Sequence, residues 1–329
     1  MRKLTACIIM FLTLAKSVGG QDTFSMVAVD TATKEVGSAG ASCVDLFVFS
    51  KEPDFIGELV PGKGAINTQA SYDEFNQGNA YQRMAEDSTP QAIVNWLANN
   101  DVANNPSVRQ YGIASFVKGA PQTAGYTGAN CFDWKGHKAG YNYCIQGNIL
   151  LGPQVLDSME ARFLREKGDL KTKLMAAMQG AKMVGADTRC APNNSSTLFA
   201  YVKVAKPTDI DGANPSFKIT VKTKMNDKIE PIDSLQKLFN KKIAQSNLQV
   251  VDKDRMQCWN NGHSITIQHQ WNEQAIIKIY AMTGRAIGEW GIEPYEEKNI
   301  ETHTWPEGIF VCTVYNQAGQ LMSTFKLKR

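Results

Sequence analysis

The sequence has no GxGxxG turn and no GxxxxGK[ST] loop, so neither common cradle for nucleotide phosphates between a strand and a helix is spelled out. It has only four histidines, His137, His263, His269 and His303. None stands three or four residues from a cysteine or another histidine, and there is no CxxC pair. Local zinc chemistry is therefore unsupported, and no metal or other cofactor is expected. No GxSxG signature marks a serine nucleophile. No stripe of one charge runs along the chain: 35 basic residues stand against 32 acidic ones, a formal net charge of +3, which disfavours nucleic acid as a partner. Low-complexity tracts are missing too, and with 43% hydrophobic and 20% charged residues the chain has the composition of a packed globular protein. No apolar run reaches the roughly 20 residues that cross a bilayer.

What is present begins with export. Arg2 and Lys3 precede an apolar run from Leu4 to Ala15, which Lys16 and the small residues Ser17, Gly19 and Gly20 then end. A short apolar core between positive charge and small residues is the layout of a secretory signal peptide. Residues 1–20 are read as that signal, with cleavage near Gly20 and a secreted or cell-surface destination reached through the periplasm. Cys7 lies inside the run and not at its end, against a lipid-bearing cysteine. Six cysteines remain beyond it: Cys43, Cys131, Cys144, Cys190, Cys258 and Cys312. An even number in an exported chain permits disulfides, while a core of this size also permits buried free thiols.

The 329 residues suggest two domains. Phe24, Met26 and Ala28 alternate with Ser25, Val27 and Val29, and Asp30 to Lys34 reads as a turn, so strands are expected at 23–29 and 35–43. The second is rich in small residues (Gly37, Ser38, Ala39, Gly40, Ala41, Ser42), which permits close approach by another backbone or a ligand. A strand at 64–70 leads into helices at 73–85 and 90–99, the latter capped by Ser88 or Thr89 with Pro90 in its first turn. Strands at 110–118, 122–127 and 143–149 precede helices at 153–167 and 170–184. Strands at 196–204 and 217–223 and a short helix at 231–241 follow. Paired strands separated by paired helices predict sheets carrying helices on their outer faces.

Past about residue 245 the helical period stops. Short β-rich runs at 264–268, 275–280, 286–290, 298–303, 308–315 and 322–328, with turn signals between them, predict a small all-β sandwich, and Ser246 to Asp254 reads as a linker. The segments KIYAMTGRAIGEW, WPEGIFVCTVYNQAG and the terminal FKLKR resemble the carboxy-terminal sorting domain of the bacterial type IX secretion system. That resemblance, over about the last 70 residues, implies the type IX machinery as partner and transport across the outer membrane. His263, His269 and His303 would then belong to the export signal and have no chemical role.

The larger region also has a family resemblance. TFSMVAVDTATKEVGSAGAS, GAINTQA, YTGANCFDWKGHKAG, YCIQGNILLGPQVLDSME and GADTRC resemble domain-of-unknown-function family 1028, from Thr23 to about Phe239. That family is similar to the amino-terminal-nucleophile (Ntn) hydrolases. The resemblance implies a four-layer αββα sandwich over residues 21–245, followed by the linker and sorting domain over 246–329.

Chemistry of that type uses the side chain of the first mature residue as nucleophile and its own α-amine as base. Thr23 is the matching position, and cleavage near Gly20 leaves Gln21 and Asp22 ahead of it, so a further cut before Thr23 is required. Asn148, after Gly147, is a candidate oxyanion donor or a turn amide serving the backbone. Asp187 and Arg189 either orient the site or form a structural ion pair. Ser42, Asn67, Gln69, Gln146 and the loop residue His137 are candidate substrate contacts, and Asn67 and Gln69 project to one side of their strand. The function expected is hydrolysis of a small amide or peptide. The alternative is a non-catalytic binding protein in which Gln21-Asp22 caps Thr23.

Overall fold

The computed structural model describes residues 23–249, 256–260 and 263–329. The expected signal peptide, Gln21, Asp22 and residues 250–254 of the expected linker lie outside them. The chain forms two compact units, one ending at Phe239 and the other beginning at Asn240.

In the first unit, β1 (Thr23–Val29) and β2 (Val36–Ser42) form the expected hairpin, and the one-turn helix α1 (Leu46–Phe49) follows. Next come β3 (Gly57–Val60), β4 (Gly64–Ala70), α2 (Glu74–Ala85) and α3 (Pro90–Asn99), then β5 (Arg109–Val117), β6 (Ala120–Thr127), β7 (Gly136–Ala139) and β8 (Tyr143–Gly147). Helices α4 (Gln154–Arg165) and α5 (Leu170–Gly180) precede β9 (Phe199–Ala205), β10 (Phe217–Lys222) and α6 (Pro231–Gln249). Of the two caps expected for α3 the structure uses Thr89, and aspartates cap α2 and α5. Asp73 accepts from the second- and third-position amides of α2, Thr89 from Ala92 N with Pro90 behind it, and Asp169 from Thr172 N.

These strands build two antiparallel sheets, one in the order β10-β9-β2-β1-β8-β7 and the other β3-β4-β5-β6. Alternation sorts each strand between a helix-covered face and the face of the opposite sheet. Ile66, Tyr111 and Ile113 pack with Ala80, Met84, Ile93 and Leu97 of α2 and α3. On the larger sheet the small residues of β2 admit α5: a Cβ on Gly37 would lie 2.5 Å from Leu174 Cδ1. The result is a four-layer α+β sandwich with β1 and β2 central: the outer helices are those the paired helices predict, and the four layers are those the family resemblance implies.

Several boundaries differ for local reasons. Helix α5 stops at Gly180, short of the expected end at Val184, and Gly180 lets it pack closely on the backbone of α4, where a Cβ would lie 2.5 Å from Ser158 O. Helix α6 continues through Gln249 because 240–249 contains no glycine or proline to stop it, and it takes in the first residues of the expected linker. Strands β3 and β7 are four residues each, too short to show alternation, and α1 is a single turn.

A buried ionic cluster closes the outer end of the smaller sheet. Asp101 accepts from Arg109 Nε at 2.7 Å, Asn76 Nδ2 at 2.6 Å and the amides of Ala103 and Asn105. Burial pushes its pKa up, but the hydrogen bonds from Arg109, Asn105 and Asn76 outweigh that and hold it at about 2 against the ordinary 3.8. A depressed folded-state value means this stabilisation is complete above the unfolded pKa and is lost as pH falls from about 4 through about 2. Urea melts over that interval are expected to lose roughly 2 kcal/mol from this group, and an Asp101→Asn variant is expected to lack that increment of the slope.

The second unit has β11 (Met256–Asn260), β12 (Ser264–His269), β13 (Ala275–Ala281), β14 (Ala286–Ile292), β15 (Glu297–Glu301), β16 (Ile309–Asn316) and β17 (Leu321–Lys328). They form sheets ordered β11-β12-β15 and β14-β13-β16-β17 around Ile265, Ile267, Ile277, Ile279, Phe310, Cys312 and Val314. This is the expected all-β sandwich. His269 is buried in it, with Nε2 against Glu293 O and Nδ1 accepting from Trp271 N, a structural arrangement.

Candidate functional site

The layer between the two sheets of the first unit changes character along β1. Toward the end of β1 it is apolar: Val27, Val29, Val36, Leu59, Ala65, Ala114, Cys144 and Ala205 pack together. Toward its beginning it is filled with hydroxyls and carboxamides. Thr23, Ser25, Ser42, Asn67, Gln69, Gln110, Gln146 and Asn148 are all buried there. Burying so many polar groups is tolerable only if they satisfy one another.

Most of them do so, as a chain whose direction the backbone sets. Gln110 Nε2 lies 2.8 Å from Gly147 O, 3.0 Å from Thr127 Oγ1 and 3.1 Å from Gly136 O, all acceptors. Its Oε1 must therefore be the end that accepts, from Gln69 Nε2 at 2.7 Å and Asn148 Nδ2 at 2.9 Å. Gln69 Nε2 also donates to Thr23 O at 3.0 Å, which leaves Gln69 Oε1 to accept from Ser25 Oγ. Ser25 Oγ in turn accepts from Gln146 Nε2 at 2.6 Å. The network ends in two amide oxygens with no hydrogen-bond partner among the described residues, Gln146 Oε1 and Asn148 Oδ1. Gly112 makes room for the first of them: a Cβ there would lie 1.8 Å from Gln146 Oε1. A separate link joins Ser38 Oγ to Asn67 Oδ1 at 2.6 Å and to Tyr201 Oη at 2.8 Å.

Thr23 heads the central strand β1, opposite Ser42 on β2. Its carbonyl accepts from Gln69 Nε2 and from Asn148 N at 3.1 Å, so the strand start is held from both sheets. Asn148 stands just past β8, where Ile149 takes a positive φ of 53° and turns the chain out of the sheet. Asp187 and Arg189 come from the 3-10 turn Thr188–Asn193 and its cap. Asp187 accepts from Arg189 Nη2 at 2.7 Å, Arg189 Nε at 3.0 Å and Cys43 N at 2.8 Å, and Arg189 Nη2 reaches Ser42 Oγ at 3.3 Å. Ser42 lies in register with Thr23, so Thr23, Ser42, Asn148, Asp187 and Arg189 gather at one end of the six-stranded sheet.

The other expected contacts are placed differently. Asn67, Gln69 and Gln146 spend their amides within the layer between the sheets. His137 stands on β7, in a strand and not the expected loop, with Nδ1 2.8 Å from Thr127 Oγ1. Desolvation by the atoms around it lowers its pKa. Cys144 is no alternative nucleophile, because burial pushes its thiol up to about 12. Sequence reasoning missed Gln110 as the hub of the amides and Ser25 as their relay. Both lie on strand faces that alternation marks as inward, but only the pairing of Gln69 with Gln110 across β4 and β5 shows that the inward face is polar on both strands.

A disulfide between Cys43 and Cys190 ties the end of β2 to the turn that carries Arg189, across 147 residues of sequence. Among the described residues Cys131, Cys144, Cys258 and Cys312 form no disulfide. Closing so long a loop restricts the unfolded chain strongly. Because Asp187 also holds the turn, a Cys43→Ser/Cys190→Ser variant is expected to lose about 2–3 kcal/mol in chemical denaturation, less than the loop-entropy limit.

The fold and this polar seam define the class: a four-layer α+β sandwich whose central strand begins at a buried threonine. The chain belongs to the family of unknown function DUF1028, whose family model matches residues 23–235. A crystal structure of a DUF1028 protein from Silicibacter pomeroyi has the same fold, with a TM-score of 0.53 at 22% identity over 67% of this chain and 88% of that one. A Bacteroides vulgatus protein of the DUF3244 family, described as an immunoglobulin-like β-sandwich, matches 23% of this chain and 84% of its own at 14% identity and a TM-score of 0.21. No curated protein matches this chain.

Proposed function

We propose that this is an exported amide-bond hydrolase of the amino-terminal-nucleophile type, with Thr23 as nucleophile. One observation carries the reading: Thr23, Ser42, Asn148 and the Asp187–Arg189 pair, distant in sequence, converge at the head of the central strand. Cleavage between Asp22 and Thr23 frees the α-amine that serves as base. The amine takes the proton of Thr23 Oγ1 as that oxygen attacks the carbonyl carbon of the amide, and the proton passes to the departing nitrogen as the C–N bond breaks. Water then hydrolyses the acyl ester and restores Thr23. Asn148 Nδ2 has two protons and spends one on Gln110, leaving the other for the oxyanion. Asp187 holds Arg189 over Ser42, where its guanidinium orients the substrate.

The substrates that fit an extracellular setting are small peptides, acylated amines or cell-wall fragments. Export by the type IX machinery, with removal of both the signal peptide and the carboxy-terminal sandwich, completes the reading. Amino-terminal sequencing and intact mass of secreted protein test it. A chain beginning at Thr23 that cleaves small amides is expected. A mature chain beginning at Gln21 and inert toward amides overturns it in favour of a binding protein built on the same seam.

A further inference from the structure

The two buried carboxamide oxygens without a hydrogen-bond partner among the described residues, Gln146 Oε1 and Asn148 Oδ1, have different surroundings. Gln146 stands opposite Ser25 within the β1–β8 ladder, and the backbone of Gly112 closes over its oxygen so tightly that a Cβ there would lie 1.8 Å away. No ligand fits between them. Asn148 stands one residue past the end of β8, beside the first residue of β1, where its main-chain nitrogen donates to Thr23 O. The chain comes to the surface directly around it: Ile149 N donates to Phe132 O, Ile149 O accepts from Thr188 N, and Phe132 and Thr188 are both exposed. An orphan acceptor at this end of the sheet is a group that a ligand satisfies.

The network also fixes which way the Asn148 carboxamide faces. Gln110 Nε2 is spent on Gly147 O, Thr127 Oγ1 and Gly136 O, so Gln110 meets Asn148 only through Oε1, which takes one proton of Asn148 Nδ2 at 2.9 Å. The second Nδ2 proton and Oδ1 are left, a donor and an acceptor on one planar group. A ligand matches both when its own N–H and C=O lie on the same side. Primary carboxamides and lactams have that shape. A trans peptide does not, because its N–H and C=O point in opposite directions.

We infer that Asn148 selects primary carboxamides and lactams, meeting their C=O with Nδ2 and their N–H with Oδ1. This rests on the reading that the head of β1 is a ligand site, and it narrows the amides that the site takes. In the hydrolytic reading the attacked carbonyl oxygen gathers charge against Nδ2, while Oδ1 holds the nitrogen that leaves. Thr23 Oγ1 bonds to the carbonyl carbon, the C–N bond breaks, and a primary carboxamide leaves its nitrogen as ammonia carrying the proton taken from Thr23. Water then splits the ester into a carboxylate, restores Thr23 and gives the remaining proton to the ammonia. The carboxylate presents only acceptors, so Oδ1 repels it and favours its release.

Chemical-shift titration of the full chain cut to begin at residue 23, with Thr23→Ala to prevent turnover, tests the selection. The probes are butyramide and 2-pyrrolidinone, their N-methyl derivatives, and methyl butyrate. The two unsubstituted amides are expected to bind at least about tenfold more tightly than the other three, each of which leaves Oδ1 unpaired. Asn148→Asp, which makes both edge atoms acceptors, is expected to abolish the preference. Thermal melting shows whether that variant keeps its fold, and the probe series on the parent chain decides the inference without it. Equal affinity across the series, or binding of no probe, overturns the inference. Ammonia release from butyramide by the chain with Thr23 in place tests catalysis separately. Selective binding without release keeps the selection and removes Thr23 as nucleophile, whereas cleavage of N-methylbutyramide as fast as butyramide keeps Thr23 and overturns the selection.

Discussion

Replacing Asp187 by alanine is expected to cost about 3–4 kcal/mol of stability and to disperse the site. The carboxylate is fully buried and accepts four hydrogen bonds: from Cys43 N, from Arg189 N, and from Arg189 Nε and Nη2. Arg189 is about one-third exposed, so water recovers part of its lost partner. Cys43 N does not recover, because it sits at the buried end of β2. Removing one member of a largely buried pair falls in the range of roughly 3–5 kcal/mol, and the exposure of Arg189 places this variant toward the lower end. Asparagine is no rescue, since its amide NH2 would face a donor on either side. Urea denaturation measures the loss, and hydrogen exchange is expected to show faster exchange at the Cys43 amide and through the turn 188–193. A loss under 1 kcal/mol would sink the claim that this carboxylate anchors the turn.

Replacing Thr23 by alanine is expected to abolish amide hydrolysis by the processed chain, by a factor on the order of 10⁴, while stability changes by no more than about 1 kcal/mol. The two effects separate because the main-chain carbonyl of Thr23, and not its hydroxyl, receives Gln69 Nε2 and Asn148 N. Alanine keeps that carbonyl and loses the γ-methyl and the γ-oxygen to which the proposed mechanism assigns the attack. Substrate binding is expected to survive, so KM stays within a few-fold while kcat collapses. Serine in place of threonine is expected to restore much of kcat. A Thr23→Ala protein with undiminished turnover excludes the mechanism.

Local pattern alone was enough for the elements of the first unit that are long and one-sided. The alternation of Phe24, Met26 and Ala28 against Ser25, Val27 and Val29 placed β1, and Thr89 with Pro90 placed the start of α3, because alternation and capping are properties of neighbouring residues. The small residues of β2 announced close approach, though not that α5 makes it. Short elements were illegible: α1, β3 and β7 contain at most four residues, less than one readable period.

The site divides in the same way. The family resemblance made Thr23 a candidate, residue type and position made Ser42, Asn148, Asp187 and Arg189 candidates, and Asn67 and Gln69 were read correctly as sharing a face. Tertiary structure decided which candidates stand at the head of β1 and which are spent between the sheets. A carboxamide on an inward face has the same sequence signature whether it awaits a ligand or another strand. Only the registers of β1 with β8 and of β4 with β5 place Gln146 against Ser25 and Gln69 against Gln110. The Cys43–Cys190 bond is of the same kind. An even cysteine count permitted it, but a contact across 147 residues exists only once the sheet has brought its ends together.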